Sequence, residues 1–188
     1  MSLAVIISLA IVALLVVIAI LIYNSLVRLR VRVRTAWAQI DAQLKRRHDL
    51  IPNLVASVRG YLGHESSVLE RISTLRETAA KAGDDVTARA GAERALGGAL
   101  GQLLARVEAM PNLKGNTTVL ALQEELATTE NRIGFARTHY NESAGVYNAS
   151  IATIPNVLVA EPCGFRPADF FVIDEPVSVP QVSLERVA

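Results

Sequence analysis

The chain has 188 residues, a formal net charge of +1 at pH 7 and a single cysteine. The near-neutral charge gives no sign of a nucleic-acid partner, and one cysteine excludes an intrachain disulfide. Once an apolar N-terminal segment is set aside, about 160 residues remain, which is enough for one domain with a sizeable core.

The first predicted element is a membrane-spanning helix. An apolar run extends from Leu3 to Ile22 and is interrupted only by Ser8. A helix of this length covers about 30 Å, the thickness of the hydrocarbon core of a bilayer. A cleaved signal peptide would need a charged beginning, a shorter apolar region and a small-residue cleavage site, and the sequence has none of these. We therefore predict a retained anchor over residues 1–25.

Basic residues follow the apolar run closely, and none precedes it. By the positive-inside rule, this asymmetry predicts an external N-terminus and a main domain in the cytoplasm. The same side chains can bind anionic lipid head groups, and each would contribute about 1 kcal/mol of binding free energy near the surface. Alternatively, they only set the orientation of the chain in the membrane. The predicted lipid-contacting residues are Arg28, Arg30, Arg32 and Arg34.

The next segment continues as a helix. From Leu26 to Leu62 a stripe that is apolar except for His48 recurs every three or four positions, which predicts one buried helix face. Because no Gly or Pro separates this stripe from the anchor, we expect one continuous helix. The alternation within Leu29–Arg34 is typical of a strand, but the longer stripe outweighs it. Pro52 lies inside the stripe and should kink or restart the helix.

Two shorter helices are predicted next, over about Ser66–Lys81 and about Val86–Met110, with Asp85 capping the second. The second is rich in glycine, and each glycine costs about 1 kcal/mol in a helix interior. These small residues either let another helix backbone approach closely or leave the helix loosely held, and the sequence favours neither. The glycines are Gly91, Gly97, Gly98 and Gly101.

Thr117 or Asn116 is predicted to cap a long last helix, which extends to about Thr153 and ends before Pro155. Its apolar stripe covers nearly five heptads, or about 50 Å of helix, which is typical of a coiled-coil-like bundle. The predicted fold is all-α: a transmembrane helix continues into an elongated antiparallel helical bundle with long coiled-coil-like first and last helices. The bundle is assigned to residues 26–155.

Residues 156–188 are predicted to form a largely irregular tail, because the helical period is lost after the last proline of the bundle. Aromatic residues in the tail are candidates to hold it against the bundle. They are Phe165, Phe170 and Phe171.

Residues suited to catalysis are scattered along the chain. The three histidines have none of the spacings of zinc sites, and Cys163 has no neighbour that would activate its thiol. Phosphate-binding loops and nucleophile-elbow motifs do not occur. The sequence therefore predicts a non-enzymatic protein with no catalytic residue, no metal and no cofactor.

Polar residues on the two long helices form a further pattern. They recur at four-residue steps on the first helix and at steps of seven, four and seven on the last. If the two faces oppose each other, they form ion pairs and hydrogen bonds that set helix register; otherwise they are solvated. The predicted network comprises Asp41, Lys45, Arg47, His48 and Asp49 with Glu130, Arg137, Asn141 and Asn148.

Several segments resemble the LemA family. The most specific is Trp37–Val55, with the sequence WAQIDAQLKRRHDLIPNLV, and the resemblance covers nearly the whole chain. It implies a bacterial single-span membrane protein with a helical bundle and no known catalytic residues. The glycine-rich third helix and the Val/Pro-containing tail depart from the family pattern. Other matching segments are Leu122–Leu126, Thr129–Ile133, Tyr140-Asn141, Tyr147-Asn148 and Gly164-Phe165.

Two functional hypotheses follow. The first is a membrane-anchored scaffold that self-associates at the bacterial inner membrane and shapes or organises it, with membrane lipid and further copies as its partners. The second is a monomeric membrane-tethered adaptor whose bundle binds a cytoplasmic or membrane protein. The two differ in native mass and in whether assembly needs a partner.

Overall fold

A computed structural model describes residues 3–62, 66–83, 85–113 and 115–173. Every regular element in those residues is a helix, which confirms the all-α prediction. The helices are α1 (Leu3–Arg59), α2 (Ser66–Lys81), α3 (Val86–Ala109), α4 (Thr117–Ala152) and α5 (Val157–Ala160). The predicted bounds of α2, α3 and α4 agree with these within one residue.

The first helix connects the anchor to the bundle without a break, as predicted. Its 57 residues extend about 85 Å at the usual helical rise. The apolar N-terminal part projects from the bundle and has no contacts that bury it, and it is long and apolar enough to cross a membrane. The anchor and the spine of the bundle are therefore one element.

The helix does not restart at Pro52, contrary to one of the two outcomes expected there. The proline ring occupies the exposed face of α1, and its missing N–H leaves the carbonyl of His48 without its usual partner. Arg76 of α2 donates its Nε–H to that carbonyl at 2.9 Å. A side chain from the next helix thus replaces the lost backbone bond.

α1 and α4 form an antiparallel pair. The Trp37 ring lies 5.3 Å from the Tyr140 ring, and Arg47 donates to Glu130 at 2.7 Å. Between these two contacts the numbering rises by ten on α1 and falls by ten on α4. The two helices therefore run in opposite directions in constant register.

Two cores lie along this pair. The anchor-proximal core joins α1 and α4 to the segment after α5, and the distal core joins α1, α2, α3 and the first half of α4. Main residues of the anchor-proximal core are Leu26, Ile40, Leu44, Ile133, Tyr140, Tyr147 and Phe171. Main residues of the distal core are Ile51, Leu54, Val58, Ile72, Leu96, Leu103, Val119 and Leu126.

Side-chain caps set the start of the two later helices. The Asp85 carboxylate accepts a hydrogen bond from the Ala88 amide at 2.8 Å, and the Asn116 side chain accepts from the Thr118 and Val119 amides. The predicted cap Asp85 is confirmed, and of the two candidates at the start of α4, Asn116 and Thr117, the cap is Asn116. Each cap satisfies backbone N–H groups that have no partner inside the helix.

Candidate functional site

A buried ion-pair cluster lies where the two cores meet. Arg47 of α1 is only 2 % exposed and pairs with Glu93 of α3 and with Glu130 of α4, the latter at 2.7 Å. His48 Nε2 lies 3.0 Å from Glu93 Oε1. One pair of adjacent α1 residues therefore connects three helices.

The charges in this cluster stabilise one another. Burial by itself lowers the pKa of Arg47, but Glu130 and Glu93 more than offset it, and the pKa is raised. Burial likewise raises the pKa of Glu93, but the adjacent His48 ring and the charge of Arg47 outweigh it, and the pKa is lowered. Both Arg47 and Glu93 are thus held in their charged forms.

The other predicted network residues on α1 do not face α4. Asp41 pairs with Arg89 of α3, and that guanidinium also lies 5.7 Å from the centre of the Trp37 ring. Lys45 and Asp49 are exposed, and no ion pair joins either of them to another described residue. Of the two alternatives left open by the sequence, opposition of the two polar faces is therefore absent at these positions, where Asp41 faces α3 and Lys45 and Asp49 face solvent.

Three predicted network residues on α4 bind the C-terminal segment instead of α1. The Asn148 amide both donates to the Ala168 carbonyl and accepts from the Ala168 N–H, at 2.9 and 2.8 Å. Asn141 makes the same two bonds with Phe171, at 3.1 and 2.9 Å. Arg137 donates to the Ile173 carbonyl at 3.2 Å. These side chains bond to the backbone N–H and C=O groups of the segment, as a neighbouring β-strand would.

Two tyrosines complete this contact. The Tyr140 hydroxyl donates to the Asp169 carbonyl at 2.7 Å, and the Tyr147 hydroxyl donates to the Arg166 carbonyl at 2.9 Å. Burial raises the pKa of both hydroxyls, so both keep the proton that they donate. From the sequence, these tyrosines are expected in the apolar stripe of the last helix and in segments that match the family pattern, with no hydrogen-bonding role assigned to them. Their signal was the Tyr-Asn pair repeated after seven residues.

The bound segment is extended and runs antiparallel to α4. It advances five residues, from Ala168 to Ile173, while α4 recedes eleven residues, from Asn148 to Arg137. Five extended residues and eleven helical residues both measure about 16 Å. Phe165 and Phe171 are buried, and the half-exposed ring of Phe170 lies beside Gly145 of α4, so all three aromatic residues predicted to hold the tail lie against the bundle.

A cleft of about 470 Å³ opens between α3 and α4 beside the ion-pair cluster. Arg47 reaches its floor, and the Nε of Arg47 has no hydrogen-bond partner among the described residues. A Cβ added at Gly98 or Gly101 would meet no atom within 4 Å. These glycines therefore face open space and not a closely packed helix within the described chain. Lining residues include Gly97, Gly98, Gly101, Leu126, Glu130 and Gly134.

The predicted lipid-contacting arginines lie on α1 beyond the anchor. Arg28, Arg32 and Arg34 are exposed, while the guanidinium of Arg30 stacks 4.8 Å from the centre of the Phe165 ring. Within the described residues, no three His, Cys, Asp or Glu side chains converge as metal ligands.

Comparison with known proteins supports one family. The chain is 27% identical over 192 residues to "Magnetosome protein MamQ 2" of Paramagnetospirillum magneticum and 26% identical to "Magnetosome protein MamQ" of Magnetospirillum gryphiswaldense. Each alignment covers 87% of this chain and 71% of the relative. It is 26% identical over 138 residues to "Protein LemA" of Metamycoplasma hominis, covering 73% of this chain and 63% of that protein. The LemA family model matches residues 36–184. That span includes the ion-pair cluster, the cleft and the bound segment, and the chain belongs to the LemA family.

Proposed function

We propose that this membrane protein is a non-enzymatic scaffold that self-associates at the bacterial inner membrane and organises it. The observation that supports this most is the continuity of α1, which forms both the anchor and the spine of the bundle. Because no hinge separates the two parts, copies in one bilayer share an orientation and present the same faces to one another.

The outer face of α4 offers a surface for such contacts. Phe135 is 77 % exposed, and Val146, three helical turns further on, is also exposed. Large apolar side chains on one helix face are typical of protein contact surfaces. A second copy of the chain is the proposed occupant, because identical anchors bring identical α4 faces to the same height above the membrane.

The native mass of the full-length protein in mild detergent tests this proposal. We expect a large, uniform particle by light scattering and negative-stain imaging, and a smaller particle for Phe135→Ser. Glu70→Gln, at an exposed position on α2, is the matched control and should leave the mass unchanged. A monomer for the wild-type chain would reject the scaffold.

The α3–α4 cleft favours a second candidate, a monomeric adaptor. Its volume of about 470 Å³ and its lining of glycines suit a side chain or backbone segment of another protein. Gly98→Leu would fill the cleft at a position where a Cβ meets nothing. An adaptor would be monomeric and would lose its partner in this variant, whereas a scaffold assembled through α4 would keep its mass.

A further inference from the structure

The turn after α4 exposes large apolar side chains. Ile154 is 83 % exposed and Leu158 is 72 % exposed, comparable with Leu3 in the anchor. Both belong to the reversal that takes the chain from the end of α4 through α5 to Phe165. Burying these two side chains in an apolar surrounding would be favourable, which makes the turn a candidate contact surface.

The register of the α1–α4 pair gives the height of this turn above the membrane. Trp37 lies beside Tyr140, and Arg47 lies beside Glu130. Continued by fourteen residues along both helices, the same register brings Ile154 to the level of Tyr23. The ring of Phe165, where the reversal ends, lies 5.6 Å from the ring of Tyr23. The turn is therefore at the anchor end of the bundle.

This level coincides with the edge of the apolar run. Tyr23 follows Ile22 directly, and the first arginine after the run, Arg28, lies about 9 Å beyond Ile22 at the helical rise. The hydrocarbon core ends near the last apolar residue of a span, and the head groups occupy roughly the next 5–7 Å. A tyrosine at this depth is typical of the interface.

We propose that residues 153–164 form a second membrane contact, in which Ile154 and Leu158 insert among the lipid head groups beside the anchor. The occupant is the bilayer that α1 crosses, because the same helix sets both the span and the height of the turn. The Arg30 guanidinium and the Tyr23 ring both contact Phe165, so the turn is held at this height. The inference rests on α1 crossing the membrane and does not require self-association.

Site-specific fluorescence on the full-length protein tests this contact. The only cysteine, Cys163, is replaced by Ser, and an environment-sensitive probe is attached to Ile154→Cys or Leu158→Cys. The protein is reconstituted into phosphatidylethanolamine–phosphatidylglycerol vesicles, with nitroxide-labelled lipids as quenchers. Leu120→Cys is the matched control, because Leu120 is also an exposed apolar residue of α4 but lies about 51 Å further from the membrane. Ile11→Cys reports on the anchor itself.

We expect blue-shifted emission and nitroxide quenching at positions 154 and 158, quenching at 11, and no lipid quenching at 120. Quenching at 11 together with water-like, unquenched emission at 154 and 158 would overturn the second contact while leaving the anchor in place. Blue-shifted but unquenched probes at 154 and 158 would mean that protein covers the turn, which also overturns the lipid contact. An unquenched probe at 11 would overturn the inference and the membrane-spanning anchor together. If the wild-type protein is a monomer by light scattering but the probes at 154 and 158 are quenched, the second membrane contact is supported and only the scaffold is rejected.

Discussion

At the scale of single residues, Arg47 differs from the arginine beside it. Arg47 is buried between Glu93 and Glu130, whereas Arg46 pairs with Glu125 at 2.8 Å where both side chains are about half exposed. Water screens the exposed pair, but the buried charges depend on one another. Neighbouring residues of the same type therefore contribute very differently to stability.

Replacing Arg47 with Met should lower the free energy of unfolding by about 3–5 kcal/mol, because Glu93 is then buried without its counter-charge. Denaturant unfolding of the full-length protein in detergent, followed by circular dichroism, measures this loss. Arg46→Ala is the matched control and should cost at most about 1 kcal/mol. Similar losses for the two variants would show that the buried cluster has no special role.

The lowered pKa of Glu93 predicts an acid dependence of stability. A carboxylate whose folded pKa lies below its ordinary value of 4.5 contributes stability above pH 4.5, and this is lost as the pH falls through the folded pKa. We expect the free energy of unfolding to fall less steeply in Glu93→Gln than in the wild type between neutral pH and about pH 3. Glu125→Gln should keep the wild-type slope, and equal slopes for all three proteins would contradict the assignment.

At the scale of elements, the least expected feature is how α4 holds the segment after α5. Tyr140, Asn141, Tyr147 and Asn148 all bond to its backbone rather than to its side chains. An isolated extended segment would leave its N–H and C=O groups to water. These side chains satisfy them, and the segment becomes part of the anchor-proximal core.

Asn148→Leu should release the beginning of this segment. The variant removes both bonds to Ala168, and we expect a local loss of about 1–3 kcal/mol. Faster hydrogen exchange at the Ala168 amide, with unchanged exchange in α2 and α3, would report it. Asn131→Leu, at an exposed position on the same helix, should leave the segment protected.

A substitution on the glycine-rich face of α3 should have the opposite effect and increase stability. Gly98→Ala should raise the free energy of unfolding by about 0.5–1 kcal/mol, because alanine favours helix and its Cβ meets no atom within 4 Å. Gly83→Ala should lower it, since Gly83 has a φ of +65° that an L side chain rarely adopts. Thermal unfolding of the two variants beside the wild type distinguishes the signs. A loss on Gly98→Ala would indicate that something occupies the cleft.

At the scale of the whole molecule, the long helix α1 connects the membrane anchor to the helices of the bundle. The exposed arginines just beyond the anchor predict that the bundle lies in the cytoplasm. A tag at the C-terminus should then resist protease added to intact cells and become sensitive once the cells are opened. Digestion of the tag in intact cells would place the bundle on the outer side and reverse the proposed orientation.

Helix positions could be derived from local sequence because their signals are local. Asp85 and Asn116 cap the helices that follow them within three residues, and the apolar run of the anchor needs only its own length to be recognised. Such features depend on chain stiffness, hydrogen bonding and burial within a few turns. They are present before any two helices meet.

The partners of the polar residues depended on the packed structure. Arg47 meets Glu93 and Glu130 across separations of 46 and 83 residues. Asn148 binds a backbone segment that no periodic pattern marks. A helical stripe shows which residues point inward but not which groups they meet. That depends on the register and spacing of the packed helices, to which many weak contacts contribute at once.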